Sequence, residues 1–212
     1  MMKSLSKYKV LVFDIDNTLY DYFACDKAAY AEVKKYAESR YGLNDYFDVC
    51  LNEAKKRVKA KLHDSASSHN RLLYFKSIAD YNGLRLKDAI KMYYIYCTAF
   101  FEAMKKNTYQ DVVDFIKNSK QKICISTDMV CEIQLKKLEV LGICERVCYI
   151  ITSEENGAEK PDVGMYQSIV NMMNEPAENC LFIGDDKLKD VDGPRRFGMD
   201  SIDINDFRRI EK

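Results

Sequence analysis

The feature that most constrains the fold is a regular alternation of helix and strand patterns in the second half of the chain. From about residue 108, amphipathic helical segments alternate with the short apolar runs KICIST, VCYIIT, CLFIG and DSIDIN. Short apolar runs that alternate with helices are typical of a parallel sheet covered on both faces. A further apolar run, Val10 to Phe13, stands alone near the N-terminus. The sequence therefore predicts an α/β fold with a Rossmann-like parallel sheet.

The segment between this lone strand and the alternating half has a different character. It reads as about four helices with short polar breaks, and glycines such as Gly42 and Gly83 stand where helices end. Glycine suits that position because it accepts the left-handed backbone that closes many helices. We therefore predict an α/β core domain of residues 1–20 and 106–212, with an α-helical domain of residues 21–105 inserted after the first strand.

Composition and charge exclude several classes of protein. The 212 residues include 33 basic and 33 acidic side chains, so no basic surface for a nucleic acid polymer is expected. No apolar run approaches the roughly 20 residues that span a membrane, and we expect no signal peptide. The eight cysteines show no zinc-site spacing and several lie in apolar runs. This distribution favours reduced thiols in a cytoplasmic protein.

Polar side chains cluster directly after the predicted strands. In open α/β sheets, ligands bind at the carboxyl ends of the strands, where such residues meet. Clustered carboxylates suit a hard cation such as Mg²⁺, and a lysine with hydroxyl groups suits a phosphate. A carboxylate can also attack phosphorus directly. This pattern indicates metal-assisted phosphoryl transfer, and its candidate residues are Asp14, Asp16, Thr127, Asp128, Lys160, Asp185, Asp186 and Asp190.

Four motifs in this order resemble those of the haloacid dehalogenase superfamily. They are FDIDNTLY after the first strand, ICISTD at the end of the second, EKPDVGMY around Lys160, and FIGDDKLKDVDGPRRFGM after the fourth. The resemblance covers most of the core half and implies the phosphatase branch of the superfamily. The helical segment between the first two motifs resembles the cap domain of that branch.

The resemblance implies a role for each of the two aspartates in the first motif. Asp14 is expected to be the nucleophile and a ligand of Mg²⁺. Asp16 is expected to protonate the leaving oxygen and then to activate water, with its backbone carbonyl on the metal. An acid at this position favours a phosphatase over a dehalogenase, because an alkoxide leaving group needs a proton and a halide does not.

The later motifs are expected to supply phosphate contacts and the remaining metal ligand. Thr127, the backbone of Asp128 and Lys160 would contact the phosphoryl group, and Asp185 would complete the metal ligands. Either Asp186 or Asp190 would orient water or Lys160. The second motif departs from the family pattern, because Asp128 and Met129 stand where Asn-Gly is common.

The sequence thus predicts a Mg²⁺-dependent phosphomonoesterase, monomeric or homodimeric, that acts on a small phosphorylated metabolite through an aspartyl phosphate. The segment DIDNTLY resembles the corresponding motif of the pyrimidine 5′-nucleotidase branch. Three alternatives stay open: a sugar-phosphate phosphatase, a phosphomutase, and a catalytically idle member used for binding or regulation.

Overall fold

The computed structural model describes residues 5–43, 46–63 and 65–210. Within these ranges the chain divides into two compact units. The core unit takes in the chain up to Asp21 and again from Thr108 onward, and the helical unit is Tyr22–Asn107. The helices of the helical unit are α1 (Tyr22–Tyr41), α2 (Phe47–Leu62), α3 (Arg71–Tyr81) and α4 (Leu86–Lys106). Those of the core unit are α5 (Gln110–Asn118), α6 (Cys131–Leu141), α7 (Ser153–Asn156), α8 (Val163–Met173), α9 (Gly193–Phe197) and α10 (Ile204–Ile210).

A parallel sheet forms the centre of the core unit, which confirms the predicted α/β fold. Its described strands are β1 (Val10–Phe13), β2 (Lys122–Thr127), β3 (Val147–Thr152), β4 (Cys180–Gly184) and β5 (Asp200–Asp203). They lie in the order β3-β2-β1-β4-β5, and every neighbouring pair is parallel. The lone N-terminal strand is therefore the central one, buried along its whole length.

Both faces of the sheet are covered by helices. Val10 and Val12 of β1 lie in one apolar cluster with Met165 and Ile169 of α8. Phe13 packs instead on the rings of α5 and α10, with a centroid distance of 5.8 Å to Phe207. A strand buried on both faces reads as a continuous apolar run, which is why VLVF shows no alternation.

The helical unit is held together by apolar stripes with helical spacing. Helix α1 packs on α4, and α3 contacts both α2 and α4. The buried positions of α1 recur every four residues, and four buried positions of α4 do the same. These buried residues are Cys25, Ala29, Val33 and Ala37 in α1, and Met92, Tyr96, Phe100 and Met104 in α4.

Two short helical segments lie between β4 and β5. Lys187–Asp192 forms a wide π-helical turn, and the short helix α9 then begins at Gly193. Pro194 lacks a backbone N–H, so it suits the first turn of a new helix and not the interior of a longer one.

Two general expectations can be compared with the described residues. All eight cysteines lie within the described ranges, and each is a free thiol. No helix in those same ranges is long and apolar enough to cross a membrane.

Candidate active site

The strand register brings the first, second and fourth motifs to one edge of the sheet. Phe13, the last residue of β1, pairs with Ile125 of β2 and Ile183 of β4. The N–H of Asp14 then donates to the Ile183 carbonyl at 3.0 Å. The three parallel strands end within two residues of this register, so the polar residues that follow them lie at the same edge of the sheet.

Lys160 connects the third motif to this edge. Its Nζ lies 2.8 Å from Oδ1 of Asp14 and 2.7 Å from Oδ1 of Asp190, and it donates to the Ser126 carbonyl at 3.0 Å. The lysine is only 3% exposed. Burial lowers its pKa, but attraction by Asp14, Asp190 and Asp128 raises that pKa well above its usual value. Lys160 is thus a fixed positive charge between buried carboxylates.

Three carboxylates form the acidic group at this edge. Oxygen atoms of Asp14, Asp185 and Asp190 all lie within 4.8 Å of one another. Burial raises the pKa of Asp14 to about 8, with Asp190 and Asp16 adding to the effect and Lys160 opposing it. Burial and Asp190 also raise the pKa of Asp185 to about 6.

This donor set fits a divalent cation. A cation would offset the repulsion that disfavours the ionised carboxylates, and oxygen ligands are those that Mg²⁺ prefers. Both oxygens of Asp190 are already engaged, Oδ1 by Lys160 and Oδ2 by the N–H of Asp186, whereas Lys160 contacts only Oδ1 of Asp14. Asp14 and Asp185 are therefore the side chains of this group that would hold the ion.

The approach of Asp190 depends on the absence of a side chain at the end of β4. A Cβ placed on Gly184 would lie 2.4 Å from Oδ2 of Asp190 and 2.5 Å from its Cβ. The same Oδ2 accepts the N–H of Asp186 at 3.1 Å. The exposed carboxylate of Asp186 instead accepts the N–H groups of Leu188 and Lys189. Of the two alternatives for orienting Lys160, Asp190 is therefore the one whose carboxylate contacts it.

The second motif contains a buried hydroxyl group, that of Thr127, and a carboxylate, that of Asp128, whose charge is compensated by a lysine. Thr127 is 1% exposed at the end of β2. The carboxylate of Asp128 accepts the backbone N–H of Lys160 at 3.0 Å and lies 2.8 Å from Nζ of Lys189. Lys189 also pairs with Glu159 at 3.1 Å. The extra acid that departs from the family pattern is thus compensated by a lysine from the fourth motif.

The next residue, Met129, takes the left-handed backbone, with φ of 89°. Glycine is the residue that accepts this conformation without steric cost, and a glycine is common here in the family. The N–H of Met129 donates to Oγ of Ser153 at 2.9 Å, which ties the loop after β2 to the start of α7.

Asp16 lies apart from the acidic group, against helix α6. Nζ of Lys137 lies 2.6 Å from its Oδ1 and 2.9 Å from its Oδ2, and the Tyr20 hydroxyl donates to Oδ1. Gln134, one turn before Lys137, donates to Oγ1 of Thr127 at 2.6 Å and lies 3.5 Å from Oδ2 of Asp16. Helix α6 therefore connects the first and second motifs.

Sequence reasoning missed both of these α6 residues. A signal was present, because Gln134 has the same helical spacing as the buried Leu138 and Leu141. A polar side chain in a buried stripe needs a partner, which identifies such a position as worth attention. Lys137 gave no comparable signal, since it is one of two adjacent lysines.

Comparison with known proteins identifies the family to which the chain is similar. The model of the haloacid dehalogenase-like hydrolase family matches residues 8–198. A ribulose-1,5-bisphosphate 5-phosphatase of Halopiger xanaduensis is 30% identical over 197 residues, which cover 91% of this chain and 82% of the relative. A pyrimidine 5′-nucleotidase of Streptococcus pneumoniae is 25% identical over 208 residues, which cover 93% and 84% of the two chains.

A solved structure shares the fold. The 2-haloacid dehalogenase from Pseudomonas syringae aligns with a TM-score of 0.71 at 18% identity, over 92% of this chain and 85% of that one. At this identity, the likeness shows the fold alone.

Proposed function

Because the chain belongs to the haloacid dehalogenase-like hydrolase family, we propose that it is a Mg²⁺-dependent phosphomonoesterase that carries the phosphoryl group on Asp14. At the coarser level the chain is a hydrolase of phosphoric monoesters, a phosphatase of small phosphorylated metabolites. The observation that carries the finer proposal is the position of Asp14. Its carboxylate lies at the end of the central strand, paired with the buried Lys160 and beside Asp185.

The first step forms a covalent bond to the enzyme. An oxygen of Asp14 attacks phosphorus, and the bond between phosphorus and the leaving oxygen breaks. Asp16 gives its proton to that oxygen, so the product leaves as an alcohol. Lys160 keeps Asp14 in place and offsets negative charge as the phosphoryl group transfers. Bound Mg²⁺ would supply further positive charge at the phosphoryl oxygens.

The second step returns the enzyme to its starting state. Asp16, now a carboxylate, takes a proton from water as the water oxygen attacks phosphorus. Phosphate leaves and the Asp14 carboxylate is restored. Thr127 ends the neighbouring strand β2, and its buried hydroxyl would turn from the Asp128 carbonyl to donate a hydrogen bond to the phosphoryl group in both steps. This two-step course is general for an activated carboxylate nucleophile.

For the substrate we propose phosphorylated sugars as the first class to test. The relative with 30% identity acts, by its name, on a sugar bisphosphate. Pyrimidine 5′-nucleotides are the second candidate, because the motif DIDNTLY resembles that branch and a nucleotidase is also among the relatives. Asp16 argues against halide displacement, which needs no acid.

The test is a measurement of free phosphate from a panel of substrates with purified protein and Mg²⁺. The panel holds sugar mono- and bisphosphates, pyrimidine and purine 5′-nucleotides, and an activated aryl phosphate. Sugar phosphates should give the highest kcat/KM of the panel. Purine nucleotides serve as the control for the pyrimidine nucleotides and should be poor substrates. A phosphomutase would convert substrate without releasing phosphate. An idle binding protein would hydrolyse none of the panel, and either result would refute the proposal.

Three further predictions accompany this function. We propose that the helical unit, Tyr22–Asn107, is the cap domain that selects the substrate. Exchanging this unit for that of a relative should change the preferred substrate. The rate of aryl phosphate hydrolysis should stay the same. The cytoplasmic location and the monomeric or homodimeric state also stay predictions, to be tested by cell fractionation and light scattering.

A further inference from the structure

A buried lysine on α6 has no place in the mechanism described so far. Lys137 is 1% exposed and is among the largest fully buried side chains of the chain. Burying an ammonium group is costly unless it is paired and hydrogen-bonded. Leucine at this position would serve helix packing without that cost. The partner of Lys137 therefore identifies the purpose that the charge can serve.

That partner is the carboxylate of Asp16, which is 121 positions away in the sequence. Lys137 contacts both carboxylate oxygens, at 2.6 and 2.9 Å. The hydroxyl of the buried Tyr20 donates to one of these oxygens. Two-point contact by a buried ammonium restricts rotation of the carboxylate, whose side chain is still 22% exposed.

The same helix face also contacts the second motif. Gln134 is fully buried one turn before Lys137, and its Nε2 donates to Oγ1 of Thr127 and to the Asp128 carbonyl at 2.8 Å. Helix α6 thus contacts the proposed acid and base through Lys137 and the proposed phosphoryl ligand through Gln134. A rigid helix that contacts both groups can keep them in a constant relation.

We propose that Lys137 is a positioning residue that orients the Asp16 carboxyl group, which gives its proton to the leaving oxygen in the first step and takes a proton from water in the second. The proposal rests on the proposed function, because it needs Asp16 to be the proton donor. Its consequence is selective. Esters with an alkyl leaving group depend on that proton, whereas an activated aryl oxide leaves without it. A lysine that served only folding would affect both types of ester equally.

The test compares Lys137→Met with Lys136→Met. Lys136 is the adjacent lysine, half exposed and paired with Glu132 on the helix surface. Methionine keeps most of the buried volume at residue 137 and removes the charge. We expect Lys137→Met to lose roughly 10–100-fold in kcat/KM on an alkyl phosphate, part of the usual contribution of general acid catalysis. Its loss on an activated aryl phosphate should be several-fold smaller, and Lys136→Met should change neither value.

A double-mutant cycle gives a second readout. In an Asp16→Asn background the proton donor is gone, so Lys137→Met should add little further loss on the alkyl ester. Circular dichroism and thermal melting check that each variant is folded. If Lys137→Met does not fold, Lys137→Gln, which keeps a hydrogen-bond donor without the charge, takes its place in both comparisons.

The outcomes separate this inference from the proposed function. Equal losses on the two esters, or additive losses in the cycle, would overturn the positioning role alone. Asp14→Asn serves as the check on the mechanism itself. If that variant retained wild-type turnover of the aryl phosphate, the proposed function would fail and the positioning role would fail with it.

Discussion

Adding one methyl group at Gly184 should disable the site without removing any of its charged residues. The methyl of Gly184→Ala would lie 2.4 Å from Oδ2 and 2.5 Å from Cβ of Asp190. Cβ contacts below 3.0 Å are essentially never seen, so Asp190 must move by about 0.6 Å or more. Rotating its side chain is not enough, because its Cβ is among the clashing atoms.

This displacement bears directly on the proposed nucleophile. Asp190 lies 2.7 Å from Nζ of Lys160, and Lys160 in turn contacts Asp14. A misplacement of about 1 Å at a catalytic group can lower the rate about 100-fold, and overpacking a core costs about 1–3 kcal/mol. We therefore expect kcat to fall by roughly 30–100-fold, with a modest loss of thermal stability.

Gly164→Ala is the matched control. Its methyl would also meet a carboxylate, Oδ1 of Asp162 at 3.0 Å, but Asp162 is exposed and its side chain can move away. Steady-state kinetics and thermal melting of both variants make the comparison. The control should keep near wild-type kcat. If Gly184→Ala also kept it, the position of Asp190 would not matter for Lys160, and the account of the site would be refuted.

Three further predictions follow from the same site. Chelation should abolish turnover, Mg²⁺ should restore it and Ca²⁺ should do so poorly, because Ca²⁺ accepts looser coordination; full activity in excess chelator would contradict this. Asp16→Asn should lower the rate of enzyme phosphorylation by alkyl phosphates about 10²–10⁴-fold, and by an activated aryl phosphate less, with a burst of aryl oxide in rapid-quench kinetics. Equal slowing with the two types of ester, without a burst, would refute this role of Asp16. Lys189→Met leaves Asp128 and Glu159 without their shared cation, so KM should rise by up to about fivefold at low salt, whereas Lys189→Arg, which keeps the charge, should leave KM unchanged. An unchanged KM for Lys189→Met at low salt would exclude this electrostatic role.

Local sequence patterns predicted the fold and the meeting of acidic residues at one edge of the sheet, because both depend on short-range regularities. The strand VLVF is apolar at every position, and a strand of that kind belongs inside a parallel sheet. Once Asp14 and Asp185 are placed directly after parallel strands, the sheet itself brings them together. Neither step needs knowledge of side-chain packing.

The contacts that refine the site depend on tertiary packing and could not be predicted in this way. Lys137 and Asp16 are 121 positions apart, and a lysine pair on a helix is ordinarily exposed. The approach of Asp190 to Gly184 requires the path of the turn after β4. The sequence shows that an acid and a glycine are present. It does not show that the acid packs against the position that a Cβ of the glycine would occupy.

Direct detection of phosphorylated Asp14 tests the central claim. Protein carrying Asp16→Asn, in which removal of the phosphoryl group should be slow, is mixed with an activated aryl phosphate and Mg²⁺, quenched in acid and digested. Mass spectrometry of the peptide that contains Asp14 should show one added phosphoryl group, removable by hydroxylamine as expected of an acyl phosphate, and the Asp14→Asn protein should show none. Release of aryl oxide with Asp14 unmodified, or a phosphoryl group on another residue, would contradict the account.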